Sequence, residues 1–488
     1  MTRAEPISTA QAAWYAGLGT AGVASILVGL VLDQYVLVAL PFALLVGWLG
    51  LVRIRAIYLL LFALIPLSTE VQVTSTLGTD LPTEPLMVGL MLLIVPYTIR
   101  HHRSLDGRRF AHVLTGLLAL HLFWIALTGF TSTVPMLSAK YLVAKLWYVA
   151  AFFLATLVLV RSQRHLRAVV WALLWPLSAS IVYVLVRLAL DGGGYTNIDA
   201  LVQPIYRNHV GFSTLVTIAL PFAIWARSWY APGTRRRRVL TAMIVLFLAG
   251  IYFGYTRACY LAVAAMAAAW VIFRLRLARW AIPATLIVVF AGVHHLVDEN
   301  EYIRFAPTVK TVTHNAFDDK LAATFEGRDV SSMERVYRWI AGVHMVADRP
   351  LTGFGPNGFV PNYEDYTVFI FETWISDNPE RSTIHNYYLL VLVEQGIPGL
   401  VLFLALLTGG ILVGERQAAR SPDRFARGAS MAAIVSLVGL AVNLVFSDMI
   451  EVDKTGSIFF LALAVVVVAP YLRPDAIPAD PGSQQALR

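Results

Sequence analysis

Apolar runs of roughly 18–22 residues recur along most of the chain, and that length restricts the fold more than any other feature. At the α-helical rise it matches the hydrocarbon core of a bilayer. Lipid offers no water to bond backbone amides and carbonyls, so a spanning segment satisfies them within itself, as a helix, or by closing a barrel. Repeated runs of this length are read as transmembrane helices. Of the 488 residues, 58% are hydrophobic and 14% charged; a soluble domain carries about 25% charged residues. The expected fold is an all-α polytopic membrane protein with about 12–14 transmembrane helices.

Fourteen spans can be drawn, among them 14–32, 35–51, 56–67, 239–256, 280–297, 384–413, 429–448 and 456–472. The first lacks a basic leader and a small-residue cleavage pattern and reads as a retained span. The third is short for a straight crossing, and the first two are joined tightly enough to form a hairpin. Basic connections (Arg53/Arg55, Arg100–Arg109, Arg161–Arg167, Arg227–Arg238, Arg274–Arg279, Arg416–Arg427) alternate with acidic or nearly neutral ones such as 68–84 and 449–455. By the positive-inside rule both termini are expected in the cytoplasm. The expected units are an N-terminal helix bundle at 1–297, an extracytoplasmic loop domain at 298–383, C-terminal helices at 384–473 and a disordered tail at 474–488. The long segment is expected to fold, since it holds an amphipathic stretch at Met333–Ile340 and a Gly/Pro turn region at Gly353–Gly358.

The net charge of +8 does not imply nucleic-acid binding, because the cations sit in short membrane-flanking clusters such as Arg235–Arg238. A single cysteine, Cys259, excludes an intrachain disulfide framework and a multi-cysteine zinc site. Adjacent His294 and His295 do not share a helix face, so no metal is assigned to them. No Asp-x-Asp pair stands on an expected outer loop; the nearest acidic pair is Glu451 and Asp453.

Ionisable residues at membrane depth are costly and therefore candidates for function. Arg207 and His209 open the eighth span, Arg257 stands at the turn between the ninth and tenth, and Lys140 and Lys145 lie near the outer end of the sixth. Arg335 and Arg338 belong to the amphipathic stretch, and His385-Asn386 closes the long loop ahead of Glu394-Gln395-Gly396-Ile397-Pro398-Gly399. Fixed arginines suit a diphosphate, whose oxygens accept paired hydrogen bonds. A histidine near neutral pKa suits proton removal from a hydroxyl. Each group also has an ordinary role. An arginine at a span end anchors headgroups, Lys140 and Lys145 can snorkel, and Arg335 and Arg338 can make packing contacts.

His385, Asn386, nine intervening residues, Gly396 and Gly399 resemble the motif of the O-antigen ligase and O-antigen polymerase family: His, then Asn, Ser or Gln, nine residues, and Gly-x-x-Gly. A long outer loop directly before that motif strengthens the resemblance, as do Arg207 and Arg257 at outer span ends. It covers the chain from the sixth span onward. The resemblance implies a GT-C-like membrane glycosyltransferase that takes a glycan from undecaprenyl pyrophosphate and uses no cofactor or metal. His385 would activate the acceptor hydroxyl, Arg207 and Arg257 would bind the donor pyrophosphate, and displacement would invert the anomeric centre. Lys140, Lys145, His209, Arg335, Arg338 and Asn386 are possible supporting residues.

A ligase acting on a lipid A-core or similar acceptor sugar is the leading expectation, at the periplasmic side of a bacterial inner membrane. A polymerase of the same family is the alternative with the same donor site. A secondary transporter for an anionic substrate would carry similar buried cations, but the single late loop has no counterpart in the first half, as paired repeats would require. A scaffold subunit of an export complex would use the charged loop for docking. The expected partners are the donor, the acceptor and membrane lipids, with no nucleic acid.

Overall fold

The computed structural model describes residues 9–32, 34–74, 77–194, 197–298, 330–367 and 382–474. The expected tail and parts of the long segment, 299–329 and 368–381, lie outside the described residues. Among the described residues the protein is all-α apart from one hairpin. Its longer helices are α1 (Thr9–Val31), α2 (Tyr35–Leu64), α3 (Thr83–Arg100), α4 (Val113–Phe130), α5 (Pro135–Leu159), α6 (Gln163–Leu190) and α7 (His209–Arg227). They continue with α8 (Arg235–Phe253), α9 (Arg257–Arg274), α10 (Ala278–Asp298), α11 (Val330–Asp348), α12 (Tyr387–Arg420), α13 (Arg424–Asn443) and α14 (Asp453–Val468). Strands β1 (Thr69–Thr74) and β2 (Leu77–Leu81) pair antiparallel between α2 and α3, where only a loop was expected.

Ten helices among the described residues are long and apolar enough to cross a membrane, and two shorter apolar helices, Gly19–Val31 and Ala278–Gly292, match the expected first and eleventh spans. Two expected crossings differ. The second and third are one helical element, α2, with Arg53 as a kink (φ −140°, ψ 61°) instead of a loop. In α8 the four arginines of the first turn shorten the apolar stretch, and it is not among the ten. Short polar side chains begin several helices by accepting an amide: Asn208 from Gly211, Asn386 from Leu389, and Asp423 from Phe425 and Ala426.

Helix α14 is the centre of the bundle. Of its apolar window 89% is buried, against 28% for α3, α4 and α9, which leave most of their surface for lipid. Helices α13 and α7 pack on it, as does a π-helical turn at Val149–Leu154 within α5.

Helix α12 has 34 residues and is interrupted at Gly396 (φ 69°, ψ −175°). At about 1.5 Å per residue the whole element exceeds the ~30 Å of a hydrocarbon core. The stretch after the break is long enough to span by itself, which places residues 387–395 toward the membrane surface. The interruption frees backbone groups, and the loop after α11 takes them up. The amides of Phe354 and Gly355 donate to the carbonyls of Val393 and Glu394, both at 2.9 Å. The Trp124 indole donates to the Gln395 carbonyl at 2.8 Å. The Ile397 amide donates to the Pro350 carbonyl at 2.8 Å. Gly353 and Gly355 take positive φ (64° and 89°) where a Cβ would collide with α12 backbone and with Ser132, respectively.

Candidate functional site

His385 sits where the loop enters α12, with φ 53°, a left-handed conformation uncommon outside glycine although histidine adopts it more readily than most residues. The restraints come from three elements. From α11, Arg338 Nη1 donates to the Thr383 carbonyl at 3.3 Å and Trp339 Nε1 to the Ile384 carbonyl at 3.1 Å. From the turn between α13 and α14, Asp448 Oδ2 accepts the Thr383 hydroxyl at 2.9 Å. From the end of α13, the Leu444 carbonyl accepts the Tyr387 amide at 2.8 Å. Burial, and then the charges of Arg335 and Arg338, push the His385 imidazole down to about 3. It is therefore neutral at physiological pH, and not a group poised near neutrality as the sequence led us to expect.

Beside this loop lies a cleft of about 1580 Å³, walled by the hairpin, α5, residues 203–211, the 357–364 loop, Thr383 and the turn into α14. Among the described residues, eight carboxyl side chains line it against three cations, Lys140, Arg207 and Lys454. Several of these groups are already engaged. Glu451 accepts from Lys145 Nζ (2.7 Å to each oxygen) and from Tyr141 (2.9 Å). Asp453 bonds Tyr148 and Thr83. Lys454 Nζ donates to the carbonyls of Ile65 and Ser68 at 3.0 and 2.7 Å. Burial raises the carboxyl pKa of both Asp448 and Asp80.

The candidate residues therefore separate. Arg207 and Lys140 line the cleft; Arg207 is 82% exposed and lies 3.9 Å from Glu70. His385, Asn386, Arg335 and Arg338 gather at the junction of loop and α12, where Asn386 caps the helix and Arg338 braces the loop. Lys145 is 6% exposed and its charge is taken by Glu451, so it is a structural cation here. His209 is held by Asp199 at 2.7 Å, off the cleft. Arg257 begins α9, close to the contact of Cys259 with Asn443 at 3.4 Å, and is not part of the cleft wall. The 443–448 stretch is the common neighbour: Asn443 meets α9, Leu444 holds the His385 loop, and Asp448 feels the charge of Arg207.

Sequence reasoning missed Asp448, Trp339, Tyr387 and Lys454. Lys454 carried a signal, an ionisable residue at the head of an apolar run. Trp339 and Asp448 carried none, because their roles depend on contacts made across about 45 and 65 residues.

The fold and its cleft define a polytopic helical membrane protein with one chemically equipped face. Residues 242–404 match the family model described as O-antigen ligase, so this third of the chain carries an O-antigen ligase domain. The match runs from α8 into α12 and includes Arg257, His385, Gly396 and Gly399; Arg207 precedes it. The match supports the resemblance to the O-antigen ligase family over this region and suggests a glycosyltransferase-like function, and the apolar helices make the chain a multi-pass membrane protein. No curated protein matches the chain.

Proposed function

We propose that the protein transfers a glycan from a lipid-pyrophosphate carrier to an acceptor hydroxyl, with His385 as general base. The observation that carries this reading is the fixed, neutral imidazole held near the arginines of α11, two residues from Thr383 of the cleft wall. In the step, the acceptor oxygen attacks the anomeric carbon from the face opposite the diphosphate, and its proton passes to His385. The bond from carbon to diphosphate oxygen breaks, and the electron pair leaves with the diphosphate. The anomeric centre inverts, and Arg207 and Arg257 hold the departing charge, so that no metal is needed. Burial, and to a smaller extent the charges of Arg335 and Arg338, make this imidazole a weak base, and a bound diphosphate would offset the arginine contribution alone.

The donor is an undecaprenyl-pyrophosphate-linked glycan and the acceptor a lipid A-core sugar or similar glycan end. The reaction is placed at the periplasmic face of the inner membrane, with residues 298–383 outside and both termini in the cytoplasm. Transfer in proteoliposomes from a defined lipid-pyrophosphate donor tests the assignment. His385→Ala should lose transfer by about 10²–10⁴-fold with donor binding retained. Arg207→Ala and Arg257→Ala should weaken donor use by roughly 10–100-fold each, the worth of a charged hydrogen bond. Full transfer by His385→Ala would remove the catalytic assignment. Deleting the gene should leave unattached polymer if the protein is a ligase, and single repeat units if it is a polymerase.

A further inference from the structure

We infer that Lys140 holds the donor diphosphate together with Arg207, and that the face of α5 carrying Lys140 takes the start of the donor's lipid chain. This rests on the glycosyl-transfer reading above and adds the residue and the wall of the cleft that meet the carrier. Helix α5 has two faces. Ser138, Tyr141, Lys145 and Tyr148 recur at helical spacing and are buried, with Tyr141 and Lys145 bonded to Glu451 and Tyr148 to Asp453. Met136, Lys140, Val143 and Trp147 recur at the same spacing on another face, and all four line the cleft. Met136 is 72% exposed and Val143 48%.

A ~30 Å hydrocarbon core takes about twenty helical residues. Counted back from Leu159 at the far end of α5, that length ends at Lys140. Lys140 therefore stands at a bilayer boundary, with Val143 and Trp147 on its hydrocarbon side, and the cleft follows this apolar wall to membrane depth. A water-soluble ligand has no use for such a wall. A lipid with an anionic headgroup matches it, with its charge at Lys140 and its chain against Val143 and Trp147. The glycan-bearing diphosphate is esterified at both ends and carries two negative charges, one on each phosphate. Two cations of the cleft are open to meet them. Lys454 is buried and donates to the carbonyls of Ile65 and Ser68. Lys140 is exposed, and among the described residues no hydrogen bond or ion pair holds it. Arg207 is 82% exposed, and its contact with Glu70 is long, at 3.9 Å. Arg257 is not on this wall, so the cleft pairs Arg207 with Lys140. Neighbouring carboxyl groups are bonded within the protein: Glu451 to Lys145, Asp453 to Tyr148, Glu394 to the Phe359 amide, Asp448 to Thr383 and Glu84 to Thr79. Thr383 also belongs to the segment that holds His385, so a headgroup in the cleft lies near the base.

The test uses the full chain in proteoliposomes with one defined lipid-pyrophosphate-linked donor. Lys140→Gln should raise the donor KM about tenfold, the low end for a charged hydrogen bond, and leave the acceptor KM unchanged. Lys140→Arg should recover most of that loss. A photo-crosslinking residue in place of Val143 should capture the donor lipid. The same residue in place of Leu146, which is 42% exposed on α5 but not on the cleft wall, should capture bulk phospholipid instead. An unchanged donor KM in Lys140→Gln would overturn the inference and leave the transferase reading standing. So would equal capture of the donor at the two positions. Full transfer by His385→Ala would instead overturn the reading beneath it.

Discussion

Gly396→Ala tests the join between loop and helix most directly. At φ 69° and ψ −175° Gly396 occupies a region essentially reserved for glycine, which costs an L-residue about 1–3 kcal/mol. A methyl carbon there would also sit 2.9 Å from the Pro350 carbonyl oxygen and nearer still to that of Leu351, inside the 3.0 Å that real Cβ atoms keep. Those oxygens are backbone and cannot swing aside as a side chain would. The loop must retreat, and the bonds from Ile397 to Pro350 and from Phe354 and Gly355 to α12 are at risk, each worth roughly 0.5–1.5 kcal/mol net. The combined loss is about 2.5–7.5 kcal/mol if all three bonds are lost, large against the ~5–15 kcal/mol that holds a typical protein domain folded. Hydrogen exchange in nanodiscs would read it: the amides of Phe354, Gly355 and Ile397 should lose protection together, and transfer should fall although His385 is intact. Gly116 lies inside α4 with no atom within 4 Å of a would-be Cβ, so Gly116→Ala should be neutral or stabilise by up to ~1 kcal/mol. Wild-type protection of the three amides in Gly396→Ala would refute the reasoning.

Asp448→Asn should lower kcat with little change in donor KM, since Asp448 positions the His385 loop through Thr383; a change confined to KM would count against that role. The acidic limb of the kcat/KM profile should fall below about pH 5. The free-enzyme imidazole, at about 3, stays deprotonated down to that region, so a limb near 6.5 would contradict its buried setting. The same depression means that His385 contributes stability fully above its unfolded pKa of about 6.5 and loses it as pH falls toward 3. Lys145→Met should destabilise by about 3–5 kcal/mol by stranding Glu451, and Lys145→Met with Glu451→Gln should recover most of it. Thermal unfolding of both variants measures this, and donor affinity unchanged in the double variant would confirm that the lysine is not part of the donor site.

The helices were legible because bilayer thickness writes itself into run length, and the His385–Gly399 spacing was legible because a motif local in sequence survives any packing. Charge was harder to read. Lys145 and Arg207 look alike in the sequence, each a cation at a span end, yet one is bound by Glu451 and the other stands open on the cleft. The difference is made by residues some 300 positions away. The kink at Arg53 was hidden for a related reason: no proline or glycine pair marks it, and the basic residues there were counted as a loop. The hairpin at 69–81 escaped because β2 is short and polar, and the alternation Glu70-Val71-Gln72-Val73-Thr74 of β1 is brief beside the long apolar runs around it.

The docking of residues 350–355 onto a broken helix also sets an order of assembly. The loop precedes α12 in the chain, yet α12 cannot satisfy its backbone at 393–397 until residues 350–355 are in place. A chain whose loop lags behind carries an open backbone at the headgroup boundary, where the cost of unbonded carbonyls rises with every ångström of burial. The segment that aims the histidine thus becomes rigid only once residues 350–355 have docked on the broken helix.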